Sequence, residues 1–214
     1  MTIRDGYLLI MLGGGLVAPI IYFLNILWAA AVYPGYRHPS QFISELGTRI
    51  SPGARYFNRW LSVTGTMLVV FAFGVYVSLG SQREALGILL GLVLFGLTVV
   101  IMAVFPCDSG CPRTPQSRAG MVHGFFGVLG ALAVLTSVAL FCFVWRLIHP
   151  IFAIYSFITV LTSTICLVIL MLERTSGWQG IWQRIYAGVV FSWVQALSGL
   201  ILISGKEPIS ISLR

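Results

Sequence analysis

Ionisable side chains are scarce in this chain. Asp, Glu, Lys and Arg make up only 9% of its 214 residues, and the acids number six. The long apolar runs hold almost none of them. A water-soluble fold needs polar groups over its whole surface. A chain with 58% hydrophobic residues and a mean hydropathy of +0.95 cannot supply that cover. A soluble domain is therefore excluded, and lipid is the solvent.

Other absences narrow the class further. The apolar runs show no polar–apolar alternation, which excludes a transmembrane barrel. There is no Gly-rich phosphate cradle, no His-Glu-x-x-His and no Gly-x-Ser-x-Gly. Gly13-Gly14-Gly15 lies inside an apolar run and reads as helix packing. No soluble domain, low-complexity tract or obvious repeat interrupts the pattern.

What is present is six long apolar runs, at about 8–32, 59–79, 85–105, 119–145, 151–172 and 184–204. Each fits the roughly 20 residues that cross about 30 Å of hydrocarbon as a helix. Short connections predict one all-α domain over residues 1–214, a bundle of six transmembrane helices in a multi-pass membrane protein. Ala29, Ala30 and Ala31 resemble a signal-peptide cleavage site. The apolar core before them is longer than the usual stretch of about 7–15 residues, so the run reads as a span.

The net charge of +7 comes from basic residues that flank spans. Anionic lipid head groups are their ordinary partners. Membrane lipids are the expected partners and nucleic acid is not; the number of copies stays open.

Six spans put both termini on one face and the loops 33–58, 106–118 and 173–183 on the other, the loop face. The loop face carries Arg37, Arg49, Arg55, Arg59, Arg113, Arg118, Arg174 and Arg184. The terminal face carries Arg4, Arg83, Arg146, Lys206 and Arg214. The positive-inside rule favours a cytoplasmic loop face. Cys107 and Cys111 oppose it, because a disulfide across Cys-Asp-Ser-Gly-Cys needs an oxidising compartment. Cys142 and Cys166 fall inside spans and read as apolar packing. Orientation stays open.

Polarity concentrates on the loop face. In the first loop Ser40 can cap a short helix, and Phe42, Ile43 and Leu46 are spaced to lay one side on the bilayer interface. Ser44 and Glu45 then point to the mouth of the bundle. The alternative is an interfacial helix that seals the bundle, with Glu45 paired to an arginine. In the second loop Pro106 ends the third helix and leaves Asp108 at the membrane boundary. Asp108 can bind a metal, orient a histidine, accept a proton, cap a turn or pair with Arg113 or Arg118.

His123 lies about one turn inside the fourth span. The small-residue stripe Gly120, Gly124, Gly127 and Gly130 beside it predicts close helix contact, with His123 pointing into the bundle. Ionisable residues inside a membrane are functional candidates; a plain interhelical hydrogen bond is the other reading. His38 shares the loop face, whereas His149 ends the fourth helix on the terminal face. One divalent metal such as zinc can be held by His38, His123 and a carboxylate, Asp108 or Glu45. Three-histidine zinc and two bis-histidine haems are excluded by the histidine count and topology. One haem between His38 and His123 is disfavoured because His38 sits in a loop. Asn25 and Gln195 are amides expected to bridge helices, and Pro19 is expected to kink the first helix. Trp60, Trp178 and Trp182 read as interfacial anchors.

The motifs Ile43-Ser44-Glu45-Leu46-Gly47, Asn58 at the start of span two, Phe105-Pro106-Cys107-Asp108, His123, Gln183-Arg184-Ile185 and Trp193 together resemble the domain-of-unknown-function 998 family. The resemblance spans nearly the whole chain. It implies a six-helix integral membrane protein, with a prokaryotic cell membrane as the expected location, and supports the loop-face cluster. It brings no reaction. In the family pattern an acid often precedes the arginine of the last motif, where this chain has Gln183. The two cysteines around Asp108 look like an addition and hint at a disulfide-braced, exposed loop.

Three functions follow from these residues. In a membrane enzyme acting on a lipid or amphiphile, His123, Asp108, Glu45 and Ser44 are the catalytic candidates, and Arg49, Asn58, Arg184 and Trp193 bind substrate. In a non-catalytic lipid-binding or accessory protein the same cluster is a polar plug. A small transporter has less support, because no inverted repeat is visible and mid-membrane charges are few.

Overall fold

The computed structural model describes residues 3–80, 83–172 and 177–204. Six helices carry it: α1 (Ile3–Ala31), α2 (Ala54–Leu79), α3 (Arg83–Val104), α4 (Arg118–Trp145), α5 (Pro150–Leu172) and α6 (Gln179–Ser204). A short 3₁₀ turn, Ile43–Gly47, sits in the first loop, and no strand occurs among the described residues. All six helices are long and apolar enough to cross a membrane. Glu173, Arg174, Lys206, Arg214 and the side chain of Arg4 lie outside the description.

Each predicted run lies within its helix to within a residue or so, but α1, α2 and α6 start five residues before theirs. Hydropathy marks where lipid begins, whereas the helix is set by backbone hydrogen bonding, which continues into the interface. Local chemistry fixes the ends. Pro106 follows the end of α3, and Pro150 opens α5, where a missing N–H costs nothing. Gly80 leaves α2 at φ +81°, a conformation that side-chain-bearing residues avoid. Ser117 caps α4 by accepting from the Gly120 N–H at 3.0 Å.

The helices form a ring in chain order. Each packs on its sequence neighbours, and α6 closes on α1. Small residues set the closest approaches: a Cβ on Gly65 would collide with the Gly96 carbonyl, so α2 and α3 touch backbone to backbone. In the glycine run of α1, Gly14 meets Met67 and Gly15 meets the Phe71 ring, while Gly13 faces open space. Polar bridges tie α1 to both neighbours. Asn25 Nδ2 donates to the Phe57 carbonyl at 2.9 Å, Gln195 Nε2 to Leu16 at 3.1 Å and Ser198 Oγ to Leu12 at 2.6 Å. At the terminal face, Phe141 stacks on Trp145 and packs edge-on to Phe152 and Trp193. This aromatic knot closes α4, α5 and α6 together.

A loop-face cavity as candidate functional site

The loop-face half is built differently. The first loop does not lie on the bilayer surface. Phe42, Ile43 and Leu46 are buried and turn into the mouth of the ring, Ile43 and Leu46 in the same core as Phe57 and Leu61. The expectation of an interfacial apolar face is therefore corrected. The physical reason is tethering. Arg184 on α6 donates through Nη1 to the carbonyls of His38, Gln41 and Gly180 at 2.7, 3.0 and 2.8 Å. Its Nη2 donates to the Tyr36 hydroxyl at 2.6 Å, and that hydroxyl donates to the Phe42 carbonyl at 2.9 Å. Gly180 is what lets the loop come so near, because a Cβ there would collide with the His38 and Gln41 carbonyls. On the other side, Asn58 Nδ2 donates to the Gly47 carbonyl at 2.9 Å. Once pulled over the ring, the apolar side chains go inward.

Ser40 does not cap the turn; Phe42 occupies the cap position and has no acceptor side chain. The capping group is Glu45, whose Oε1 accepts from the Phe42 N–H at 2.8 Å and whose Oε2 accepts from Gln41 Nε2 at 3.1 Å. Glu45 is buried and committed to this turn rather than to an arginine. Gln183, the departure from the family motif, accepts from the Ile43 N–H at 2.6 Å. A carboxylate would accept there equally well.

Beneath this plug lies a cavity of about 570 Å³, lined by the turn, the second loop and all six helices. Its walls are mostly apolar, and it falls within the roughly 300–1,000 Å³ of small-molecule sites. On α4 and α5 the lining residues Met121, Phe125 and Met171 are also well exposed. The cavity thus opens sideways between these two helices. Their ends at the terminal face stay joined, with Cys142 Sγ 3.2 Å from the Ala153 carbonyl.

The small-residue stripe explains the opening and corrects the expectation of uniform helix contact. Gly120 abuts Asp108 and Gly130 abuts Thr98, but a Cβ on Gly124 would meet nothing within 4 Å. His123 lines the cavity, with Nδ1 3.0 Å from the Phe105 carbonyl. A carbonyl only accepts, so Nδ1 carries hydrogen, and Nε2 is the acceptor of the neutral ring. Asp108 also lines the cavity, yet its Oδ2 accepts from the Gln116 and Ser117 N–H groups at 2.7 and 3.1 Å. It caps the turn into α4. Hydrogen bonds from the Ser117 side chain and the Gln116 backbone hold its carboxyl below the usual range, and Arg49 adds a smaller pull. Ser44 lines the cavity with Oγ 3.2 Å from Cys111 Sγ. Cys107 and Cys111 are joined, S–S 1.97 Å, and brace the second loop over the mouth.

Of the residues expected from sequence, the cavity brings together Ser44, Asn58, Asp108 and His123. It does not bring in the others. Arg184 is spent on holding the loop, Glu45 caps the turn, and Arg49 is exposed outside the lining. Trp193 is fully buried in the aromatic knot, where Nε1 donates to Ser156 Oγ at 2.8 Å. His38 lies outside the lining, with its ring edge-on to Tyr36. Burial, then the nearby Arg184, lowers its pKa. Among the described residues no three His, Cys, Asp or Glu side chains converge to hold a metal ion. The set His38, Asp108 and His123 therefore does not fit a zinc site. Sequence reasoning missed Tyr22, Gln183 and Tyr186 as lining residues. Their polar tips on otherwise apolar helix faces were the available signal.

A closed ring of six membrane-spanning helices with a loop-face cavity defines a polytopic membrane protein with an internal site. The chain belongs to the family described as Protein of unknown function (DUF998), whose sequence model matches residues 16–199. Nothing among curated proteins or solved structures matches it.

Proposed function

We propose that this protein binds an amphiphile within the membrane, with the hydrocarbon chain in the cavity and the polar end towards the loop-face mouth. The observation that carries this reading is the cavity itself: apolar walls of a size suited to a ligand, open to lipid between α4 and α5, and polar side chains gathered near one end. A lipid can enter sideways without crossing water. The chemistry expected of the site is recognition. Asp108 and Glu45, the carboxylates named as catalytic candidates, are already committed to backbone N–H groups.

The test is the lipid that remains on detergent-purified protein, measured by native mass spectrometry. Wild type is expected to carry a bound amphiphile. Gly124→Trp, which builds a large ring into the open space beside the stripe, is expected to lose it and remain folded. Equal lipid occupancy in both proteins would end this reading.

A second reading, an enzyme acting on the bound amphiphile, is favoured by one observation. His123 lines the cavity wall with Nδ1 bonded to the Phe105 carbonyl, which makes Nε2 the basic nitrogen of its neutral ring, as a general base requires. Ser44 is the hydroxyl available near the mouth. On this reading His123→Ala abolishes turnover of the bound lipid and leaves binding in place; turnover that persists in the variant rules it out.

A further inference from the structure

The lining of the cavity restricts what the polar end of the ligand can be. Formal charge is almost absent from it. Among the described lining residues only Asp108 and Arg113 carry charge, and both come from the second loop at the mouth. Arg184, the nearest candidate for an anion partner on α6, has both its terminal nitrogens bonded to the first loop. Arg113 stays at the mouth, so a phosphate or carboxylate drawn deeper, to the level of Tyr22 and Tyr186, would lose its water without gaining a cation.

The uncharged polar groups are better matched to something else. Asn58 uses its Nδ2 on the Gly47 carbonyl and keeps Oδ1 as an acceptor. Gln183 uses its Oε1 on the Ile43 N–H and keeps Nε2 as a donor. His123 keeps Nε2 as an acceptor. The hydroxyls of Tyr22 and Tyr186, on α1 and α6, make no hydrogen bond to the described residues. Both line the cavity, roughly 10–14 Å in from the loop-face ends of their helices at about 1.5 Å rise per residue. The remaining capacity is thus mixed: donors, acceptors and two groups that are both. A hydroxyl donates and accepts, so it satisfies such a wall from either side. An anionic oxygen only accepts, and would face the Asn58 oxygen, the His123 nitrogen and the Asp108 carboxylate.

We infer that the ligand is an uncharged, hydroxyl-bearing long-chain lipid, its hydroxyl held by Tyr22 and Tyr186 together with Asn58, His123 or Gln183. This inference rests on the amphiphile reading above and narrows it to a ligand class.

The experiment uses purified, delipidated protein and a photoreactive long-chain alcohol, competed by unlabelled palmityl alcohol, palmitic acid, palmityl phosphate and palmitylamine. Palmityl alcohol is expected to compete at least tenfold better than the other three, which share its chain. The Tyr22→Phe/Tyr186→Phe double variant is expected to lose at least tenfold in alcohol affinity with an unchanged unfolding midpoint, since neither hydroxyl holds a protein partner. Equal or better competition by the acid, phosphate or amine overturns the hydroxyl assignment while leaving amphiphile binding intact. If no probe labels the cavity saturably, the amphiphile reading falls and this inference with it. Should the double variant unfold, the wild-type competition series still decides between head groups.

Discussion

At the terminal face α4, α5 and α6 close on Phe141, Trp145, Phe152 and Trp193; at the loop face α4 and α5 part around a cavity. All six helices are apolar enough to span a membrane, so hydrophobicity alone does not account for the difference. In lipid, helices are held by shape and by a few hydrogen bonds, because leaving the bilayer gives no hydrophobic gain between them. Large rings interdigitate in one half, with the bond from Trp193 to Ser156 set among them. In the other, Gly124 leaves α4 without a side chain, and the facing residues of α5 are flexible aliphatics turned partly to lipid. The closed half is the scaffold, and the open half is where a ligand fits.

The sharpest way to break that contrast is to cut into the closed half. Trp193→Ala is expected to cost about 3–5 kcal/mol, as for other buried aromatic truncations, and to leave Ser156 without its donor. Thermal unfolding in detergent reads this; a midpoint near wild type would mean the knot is not the scaffold. Next in size is the clamp over the open half. Arg184→Met removes the donor to three carbonyls and is expected to cost about 2–3 kcal/mol, on the scale of bonds to charged groups. The loss should be local, so limited proteolysis is expected to cut within residues 33–52 first. Cleavage at the terminal face instead would show that the clamp is not local.

A smaller effect tests the second loop. Asp108 is held below the ordinary carboxylate range by hydrogen bonds from Ser117 and Gln116. The unfolded loop therefore takes up its proton at a higher pH than the folded one. The stabilisation is present above about pH 4 and is lost as pH falls through the lower folded value. Asp108→Asn should flatten that acid-side dependence, read as the pH at which loop 105–117 becomes protease-sensitive. An unchanged profile would remove Asp108 as the group responsible. The smallest change is expected at the portal. Phe125, 65% exposed, should cost no more than about 0.5 kcal/mol when cut to alanine. Its effect is expected on lipid occupancy alone; a large loss of stability would mean that the portal is part of the scaffold.

Much of the architecture was legible because lipid imposes a simple rule: long apolar runs must be helices. The runs gave span limits close to those observed, while the starts of α1, α2 and α6 lay outside the hydropathy signal because a helix does not end where lipid does. The candidate site was legible in part. His123, Asp108, Asn58 and Ser44 could be gathered to one face by topology and span position. Their partners could not. Asp108 had five readings in sequence, and the fold chose the cap on Gln116 and Ser117. Arg184 read as a substrate-binding residue until the fold gave it three carbonyls. Tyr22 and Tyr186 became site residues only when α1 and α6 were brought together around the cavity.

The sequence by itself determined the solvent, the helices and their connectivity, because each depends on composition along the chain. Only the tertiary structure decided which polar groups are spent and which remain free. Hydrogen bonds join residues as far apart as Leu12 and Ser198, and no local pattern encodes which donor reaches which acceptor first. The cavity is of the same origin: it is the space left where glycines and lipid-facing aliphatics on separate helices fail to meet.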